Sequence, residues 1–284
     1  MNNIKNTQAT IKNTISFSGI GLHSGKKIDV VLKPAKANSG IIFIRTDMQC
    51  SEIKATYKNI SNSKLCTTLQ DSKNSKNIIY TVEHLLAAIV GRCIDNIIIE
   101  LNGEEIPALD GSAVGFDIII KKAGRIEQDI KKKYLVIKKK IKFVIDNSFI
   151  ILKPYDGLKL SYEIEFPDPI GKQKLSLKGD LNNIYSNVFK ARTFCQYKDI
   201  KTMKDNGLAL GGSLDNALVI RDGTLLNKGG LRYKNEYVKH KILDLIGDFS
   251  LLEYPLKANI IAYRSGHEIN KKIMQEVFSN HENY

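Results

Sequence analysis

The sequence is poor in the residues that staple or punctuate small folds: it has no tryptophan, four cysteines, four methionines and six prolines in 284 residues. Cys50, Cys66, Cys93 and Cys195 are scattered without a Cys-x-x-Cys pair. That excludes a readable disulfide framework or cysteine-built zinc site and fits reduced thiols in a cytoplasm. No apolar run reaches the roughly 18 residues of a membrane span, and the opening MNNIKNTQATIKNTISFSGIG lacks the apolar core of a signal peptide. A soluble, cytoplasmic protein is expected. Histidine is also scarce, at five residues (His23, His84, His240, His267 and His281), so the setting of each is informative.

What is present is ordinary in all but charge. A chain of 284 residues, 43% hydrophobic, predicts two domains or one large one, with a sizeable core and no disorder. The formal net charge is +13, which invites nucleic acid, an anionic membrane surface or a phosphorylated substrate as partner. Lysine supplies 36 of the 43 basic residues and is spread along the chain. That argues for a compositional bias, and without a basic aromatic face or a nucleic-acid motif the nucleic-acid reading is the rival. The stretch KKKYLVIKKK reads as a strand with solvated lysines.

Along the chain, TISFSGIG, KIDVVLKP and GIIFIRTD are β-branched runs broken by Gly, Asn and Ser, and read as strands. Thr81 is the expected N-cap of a helix over VEHLLAAIV that stops at Gly91; a strand follows over 94–101, then a second helix ending at Gly124. The second half repeats this order. KYLVIKKKIKFVIDNSFIILKP and LKLSYEIEF are strand-rich, the spacing over 235–252 predicts a long helix, KANIIAYRS a strand and HEINKKIMQEVFSN a closing helix. The expectation is therefore α+β: two domains of similar topology, 1–126 and 127–284, meeting at a lysine-rich seam near 127–133. Extra material lies between 167 and 234, and its GLALGGS (207–213) resembles a phosphate loop without the usual glycine spacing or terminal lysine.

His240, Asp244 and Asp248 are spaced four apart and share one face of the predicted long helix. Read blandly they are a solvated polar stripe; read functionally, His240 and Asp244 reach one metal ion. Their apolar neighbours Leu245, Ile246 and Phe249 weigh against a solvated stripe. His84 begins the matching helix of the first half beside Glu83, where the bland account is a helix-dipole partner next to a satisfied polar group. If the halves pack about a pseudo-twofold axis, His84 meets His240 and Asp244. Two histidines and an aspartate leave one position open, the catalytic form of a zinc site. Glu83 is then the candidate base. His267, paired with Asp248, is the candidate acid, although a helix-start residue is its alternative. His23, in GLHSG, is placed in a turn.

With these residues in view, several motifs resemble one family. They are SGIGLHSGKKIDVVLKPA (18–35), TVEHLLAAIVG (81–91), IDNIIIELNGEEIPALDGSAVGF (94–116), ARTF (191–194), GLALGGSLDNALV (207–219), LRYKNEYVKHKILDLIGD (231–248) and SGHEIN (265–270). Together they are similar to the UDP-3-O-acyl-N-acetylglucosamine deacetylases, the zinc amidases at the committed step of lipid A synthesis, over residues 8–275. The resemblance implies two α+β domains whose helical layers face each other, with an insert in the second forming a passage for the acyl chain. It implies His84, His240 and Asp244 as ligands of one Zn2+, with Fe2+ as the alternative ion. It also implies Glu83 as base, His267 as acid aided by Asp248, and Lys241 and Thr193 against the reacting centre. The implied partner is the small-molecule UDP-sugar rather than nucleic acid, with the chain a monomer and peripheral membrane proximity possible for it. One departure is Pro167-Asp168-Pro169, where the family commonly has a His-Pro step. It leaves the local substrate contact open and touches no proposed metal or catalytic position.

Overall fold

The computed structural model of the chain describes residues 6–61 and 65–284. A five-strand sheet and a six-strand sheet carry it, and alternation of apolar and polar residues sets their faces. In Lys27–Pro34, for example, Ile28, Val30 and Leu32 point inward and are at most 2% exposed. Across the first sheet the strands run Ile15–Ile20, Lys27–Pro34, Ile97–Leu101, Ile41–Arg45 and Ser51–Lys54. Across the second they run Ile141–Ile145, Ser148–Lys153, Leu256–Tyr263, Leu158–Glu165 and Lys172–Gly179, with Leu135–Val136 paired beside the middle strand. In each sheet the strand latest in sequence lies in the middle, antiparallel to one neighbour and parallel to the other. Both outer pairs are antiparallel in each sheet. The expected repeat of element order is thus a repeat of complete sheet topology.

Six α-helices complete the described fold: α1 (Glu83–Gly91), α2 (Val114–Ala123), α3 (Leu181–Ser186), α4 (Tyr197–Asp205), α5 (Glu236–Phe249) and α6 (His267–Ser279). α1 and α2 flank the middle strand of the first sheet in sequence, and α5 and α6 flank that of the second. α1 is buried along nearly its whole length and α5 almost as completely, because α1 packs among α2, α3 and α5, and α5 lies between α1, α6 and the strands Leu158–Glu165 and Lys172–Gly179. α1 and α5 approach so closely that a Cβ on Gly247 would lie 2.1 Å from the Glu83 carbonyl oxygen. This is the expected face-to-face packing of helical layers. Of the material between 167 and 234, Lys172–Gly179 is the edge strand of the second sheet rather than extra, and the remainder holds α3, α4 and a three-stranded sheet, Phe194–Gln196, Leu218–Arg221 and Thr224–Leu225. The strand Arg125–Lys131 spans the predicted seam and pairs with Thr7–Ile11.

Local signals were used differently from what the sequence predicts. Thr81 does not cap α1: it sits at φ 59°, Val82 is the capping residue, and the Thr81 hydroxyl donates to Glu105 Oε1 at 3.1 Å. Gly91 is the last residue of α1, conserving space rather than bending the chain. A Cβ there would lie 2.2 Å from the Tyr185 ring, and the left-handed residue that follows is Cys93 at φ 57°. Gly124 does end α2 as predicted, at φ 75°. No helix among the described residues is long and apolar enough to cross a membrane.

Candidate active site

His84 enters on the first turn of α1, while His240 and Asp244 lie one turn apart on α5. The close crossing of the two helices brings them together: one ligand atom from each of the three lies within 4.8 Å of the others, and all three residues are buried. Asp244 Oδ1 is 3.3 Å from His84 Nε2 and 3.2 Å from His240 Nε2. Those spacings are long for a charge-assisted hydrogen bond, at about 2.7–2.9 Å. They match the ligand–ligand edge of a tetrahedral site, about 3.3–3.4 Å for bonds of about 2.0–2.1 Å. His240 donates from Nδ1 to the Ala191 carbonyl at 3.2 Å, which leaves Nε2 with its lone pair toward the cluster. Burial pushes the His240 imidazole down to about 3, so it stays neutral, as a ligand must be. Burial opposes ionisation of Asp244, yet His240 and the Lys241 ammonium hold its carboxyl well below the usual range. Burial opposes a charge on His84, but the Asp244 carboxylate outweighs it and raises that imidazole, so His84 would give up a proton on binding an ion. The donor set and its spacing fit a metal ion.

Glu83 and the pair His267–Asp248 stand beside this cluster. Glu83 is 4% exposed; burial raises its carboxyl pKa, partly offset by the positive fields of His267 and His84. Its Oε2 accepts the Thr67 backbone N–H at 3.0 Å. His267 is the first residue of α6, and its Nδ1 donates to Asp248 Oδ2 at 2.9 Å. Burial would lower its pKa, but the Asp248 carboxylate outweighs that and raises the imidazole to about 9. A buried carboxyl on which a proton is favoured and an imidazole that keeps its proton therefore stand within each other's field.

Lys241 reaches Asp244 Oδ2 at 2.7 Å, and its ammonium lies 5.8 Å from the centroid of the Phe194 ring. Burial alone would lower its pKa; Asp244 reverses that and raises it. Thr193 lies between Ala191, which anchors His240, and Phe194, whose ring meets His240 edge-on at 6.0 Å. Its backbone joins both halves, donating from N–H to the Gly111 carbonyl at 2.8 Å and accepting from Leu218 N–H at 2.8 Å. His23 is not a member of the three-residue cluster and lies in the turn at Gly21–Gly25, as its sequence setting predicts. In GLALGGS the chain packs closely on the turn that carries His23. Leu210 and Gly211 donate to the His23 and Leu22 carbonyls, and a Cβ on Gly211 would lie 2.2 Å from the Gly21 carbonyl oxygen. Pro167-Asp168-Pro169 forms a turn closed by Phe166 N–H to the Gly171 carbonyl at 3.2 Å.

Three partners are absent from the expected set. Thr67 bonds Asp248 and Glu83; Asn270 donates to Asp248 Oδ2 at 2.7 Å; and Glu236, fully buried, holds Arg192 through Nε at 2.9 Å and through its backbone N–H at 3.0 Å. Asn270 and Glu236 stand inside the quoted motifs SGHEIN and KNEYVKH, where an amide or an acid one turn from a key histidine is a weak signal. A cleft of about 760 Å³ opens between the two halves near Val90, Ile94, Leu245 and Phe249, and no proposed catalytic or metal-binding residue lines it.

The chain matches the model of a family described as UDP-3-O-acyl N-acetylglycosamine deacetylase over residues 8–279. It is similar to proteins named UDP-3-O-acyl-N-acetylglucosamine deacetylase from several bacteria. The one from Thioalkalivibrio sulfidiphilus is 41% identical over 276 residues, covering 96% of this chain and 90% of the relative. That from Campylobacter fetus is 42% identical over 278 residues, covering 98% and 93%. That from Histophilus somni is 42% identical over 279 residues, covering 97% and 91%. With the fold and the buried cluster alongside these matches, the chain belongs to the UDP-3-O-acyl-N-acetylglucosamine deacetylase family.

Proposed function

We infer that this chain hydrolyses the acetamide of UDP-3-O-acyl-N-acetylglucosamine, releasing acetate and the free 2-amine, the step that commits the sugar to lipid A. The observation that carries the reading is the convergence of His84, His240 and Asp244 within 4.8 Å, flanked by Glu83 and the His267–Asp248 pair. A divalent ion held by His84, His240 and Asp244, Zn2+ in our reading with Fe2+ as the alternative, would polarise the amide carbonyl and lower the pKa of the attacking water. Glu83 takes a proton from that water as its oxygen bonds to the amide carbon. The raised pKa of Glu83 suits it to accept and hold the proton. Negative charge then grows on the carbonyl oxygen, where the Lys241 ammonium and the Thr193 hydroxyl serve as fixed positive partners. His267, kept protonated by Asp248, gives its proton to the nitrogen as the C–N bond breaks.

The same reading takes the insert between 167 and 234 as the passage for the acyl chain. The repeated sheet order supports a division into 1–126 and 127–284 linked through Arg125–Lys131. We further propose a cytoplasmic monomer that meets its amphiphilic substrate near an anionic membrane surface, in keeping with a net charge of +13. Incubation with the acylated UDP-sugar, followed by mass spectrometry of the sugar and an acetate assay, tests the activity. The wild type should release acetate and free amine in equal amounts, and Glu83→Ala should slow this by roughly 100-fold or more while its circular dichroism stays native. A wild type that leaves the acetamide intact, or a Glu83→Ala of undiminished turnover, would overturn the reading.

A further inference from the structure

Thr67 is 2% exposed and stands 16 residues before Glu83, in a segment without regular structure. Three of its hydrogen bonds run to Glu83 and the Asp248–His267 pair, and a fourth to the start of α1. The backbone N–H donates to Glu83 Oε2 at 3.0 Å, and the backbone carbonyl accepts from Val82 N–H, the capping residue of α1, at 3.2 Å. Those two bonds fix the 67 backbone on the start of α1. The hydroxyl then donates to Asp248 Oδ1, on α5, and lies 3.0 Å from His267 Nδ1, on α6. A hydroxyl has one proton to give; with it spent on Asp248, the oxygen faces the His267 Nδ1–H as an acceptor, alongside Asp248 Oδ2 at 2.9 Å. Asn270 donates to that same Oδ2 at 2.7 Å, so both carboxylate oxygens of Asp248 are pinned from outside the helix that carries it.

We propose that Thr67 is a positioning residue that locks the base and the acid into one geometry, its main chain orienting Glu83 and its hydroxyl orienting the Asp248–His267 pair. This rests on the deacetylase reading for its kinetic consequence and on the contacts alone for its structural one. The base sits on α1 and the acid on α6, so no single element sets their separation, and Thr67 bonds directly to both. With Nδ1–H held by two acceptors, the His267 ring cannot turn about its own axis without breaking a bond. Its Nε2 therefore keeps one direction. Misplacement of a reacting group by about 1 Å can cost on the order of 100-fold in rate.

Thr67→Val keeps the shape of the side chain and removes the hydroxyl; Thr67→Ser keeps the hydroxyl and removes a methyl group. The main-chain bond to Glu83 persists in both. With the acylated UDP-sugar as substrate, Thr67→Val should lower kcat by about 10–100-fold with KM within about twofold of wild type, and Thr67→Ser should restore most of the loss. In the metal-loaded protein, the hydrogen-bonded Nδ1 proton of His267 should give a downfield proton resonance in the wild type and in Thr67→Ser. It should be displaced or lost through exchange in Thr67→Val. Equal losses in both variants would mean packing rather than orientation, and an undisturbed resonance with unchanged kcat in Thr67→Val would overturn the proposal. A resonance present in the wild type and displaced in Thr67→Val, with a wild type that leaves the sugar acetylated, would instead overturn the substrate assignment and leave the role of Thr67 standing.

Discussion

At the scale of single residues, chemistry here is set by which charge each buried group can see. His240 and His267 are both buried imidazoles, yet one is pushed down to about 3 and the other up to about 9. The difference is the partner of Nδ1: a neutral carbonyl for His240, a carboxylate for His267. His267 has a folded-state pKa above its ordinary 6.5, so its stabilising contribution is complete below 6.5 and lost as the pH rises through about 9. Activity should follow the same sense. The rate falls on the alkaline side as His267 loses its proton, at a pH below that value once a dication is bound nearby, and on the acid side as Glu83 gains one. Asp248→Asn removes the carboxylate and should move the alkaline limb of kcat to lower pH; a limb that stays in place would separate Asp248 from the acid's tuning. Six of the seven charged or imidazole groups of the proposed site, Glu83, His84, His240, Asp244, Asp248 and His267, were legible from helix spacing and sequence neighbours, and Lys241 from the resemblance. Thr67 was not, because a threonine in an irregular segment has no period, and only the folded chain carries it to Asp248.

At the scale of elements, the site exists because α1 and α5 cross almost backbone to backbone. Gly247 permits this: a methyl group there would lie 2.1 Å from the Glu83 carbonyl oxygen, against rigid helix backbone that has nowhere to go. Gly247→Ala should therefore destabilise the protein by about 1–3 kcal/mol in denaturant unfolding and lower deacetylation with it, since the helix that must move carries Glu83 and His84. An unchanged unfolding midpoint would show that the crossing has slack. The helices and strands themselves were legible from apolar periodicity, since burial on one face imposes it. Their ends were less so. Thr81 has the composition of a cap, but its hydroxyl is bound to Glu105, and Gly91 has the composition of a stop, but its missing side chain admits the Tyr185 ring. Both signals mark tertiary contacts that local sequence does not encode. Gly211 of GLALGGS is a third case, its missing side chain admitting the Gly21 carbonyl.

At the scale of the whole molecule, two sheets of the same strand order face each other through their helices. The proposed metal-ligating set is divided between them: His84 comes from the first half, His240 and Asp244 from the second. A bound ion would thus bridge the halves as well as serve the reaction, and its free energy of binding would count toward the stability of the whole fold. The net charge of +13 is a property of lysines spread along the chain, and only Lys241 among them enters the proposed chemistry. The order of elements could be read from the sequence, whereas the shared topology could not, because strand pairing between distant segments leaves no mark on either segment alone. The central claim is that His84, His240 and Asp244 hold one catalytic ion. Elemental analysis of protein purified from metal-replete cells, wild type beside His84→Ala, tests it most directly. The account predicts about one divalent ion per chain in the wild type and a small fraction of that in His84→Ala. A metal-free wild type, or a His84→Ala that keeps the full complement, would contradict it.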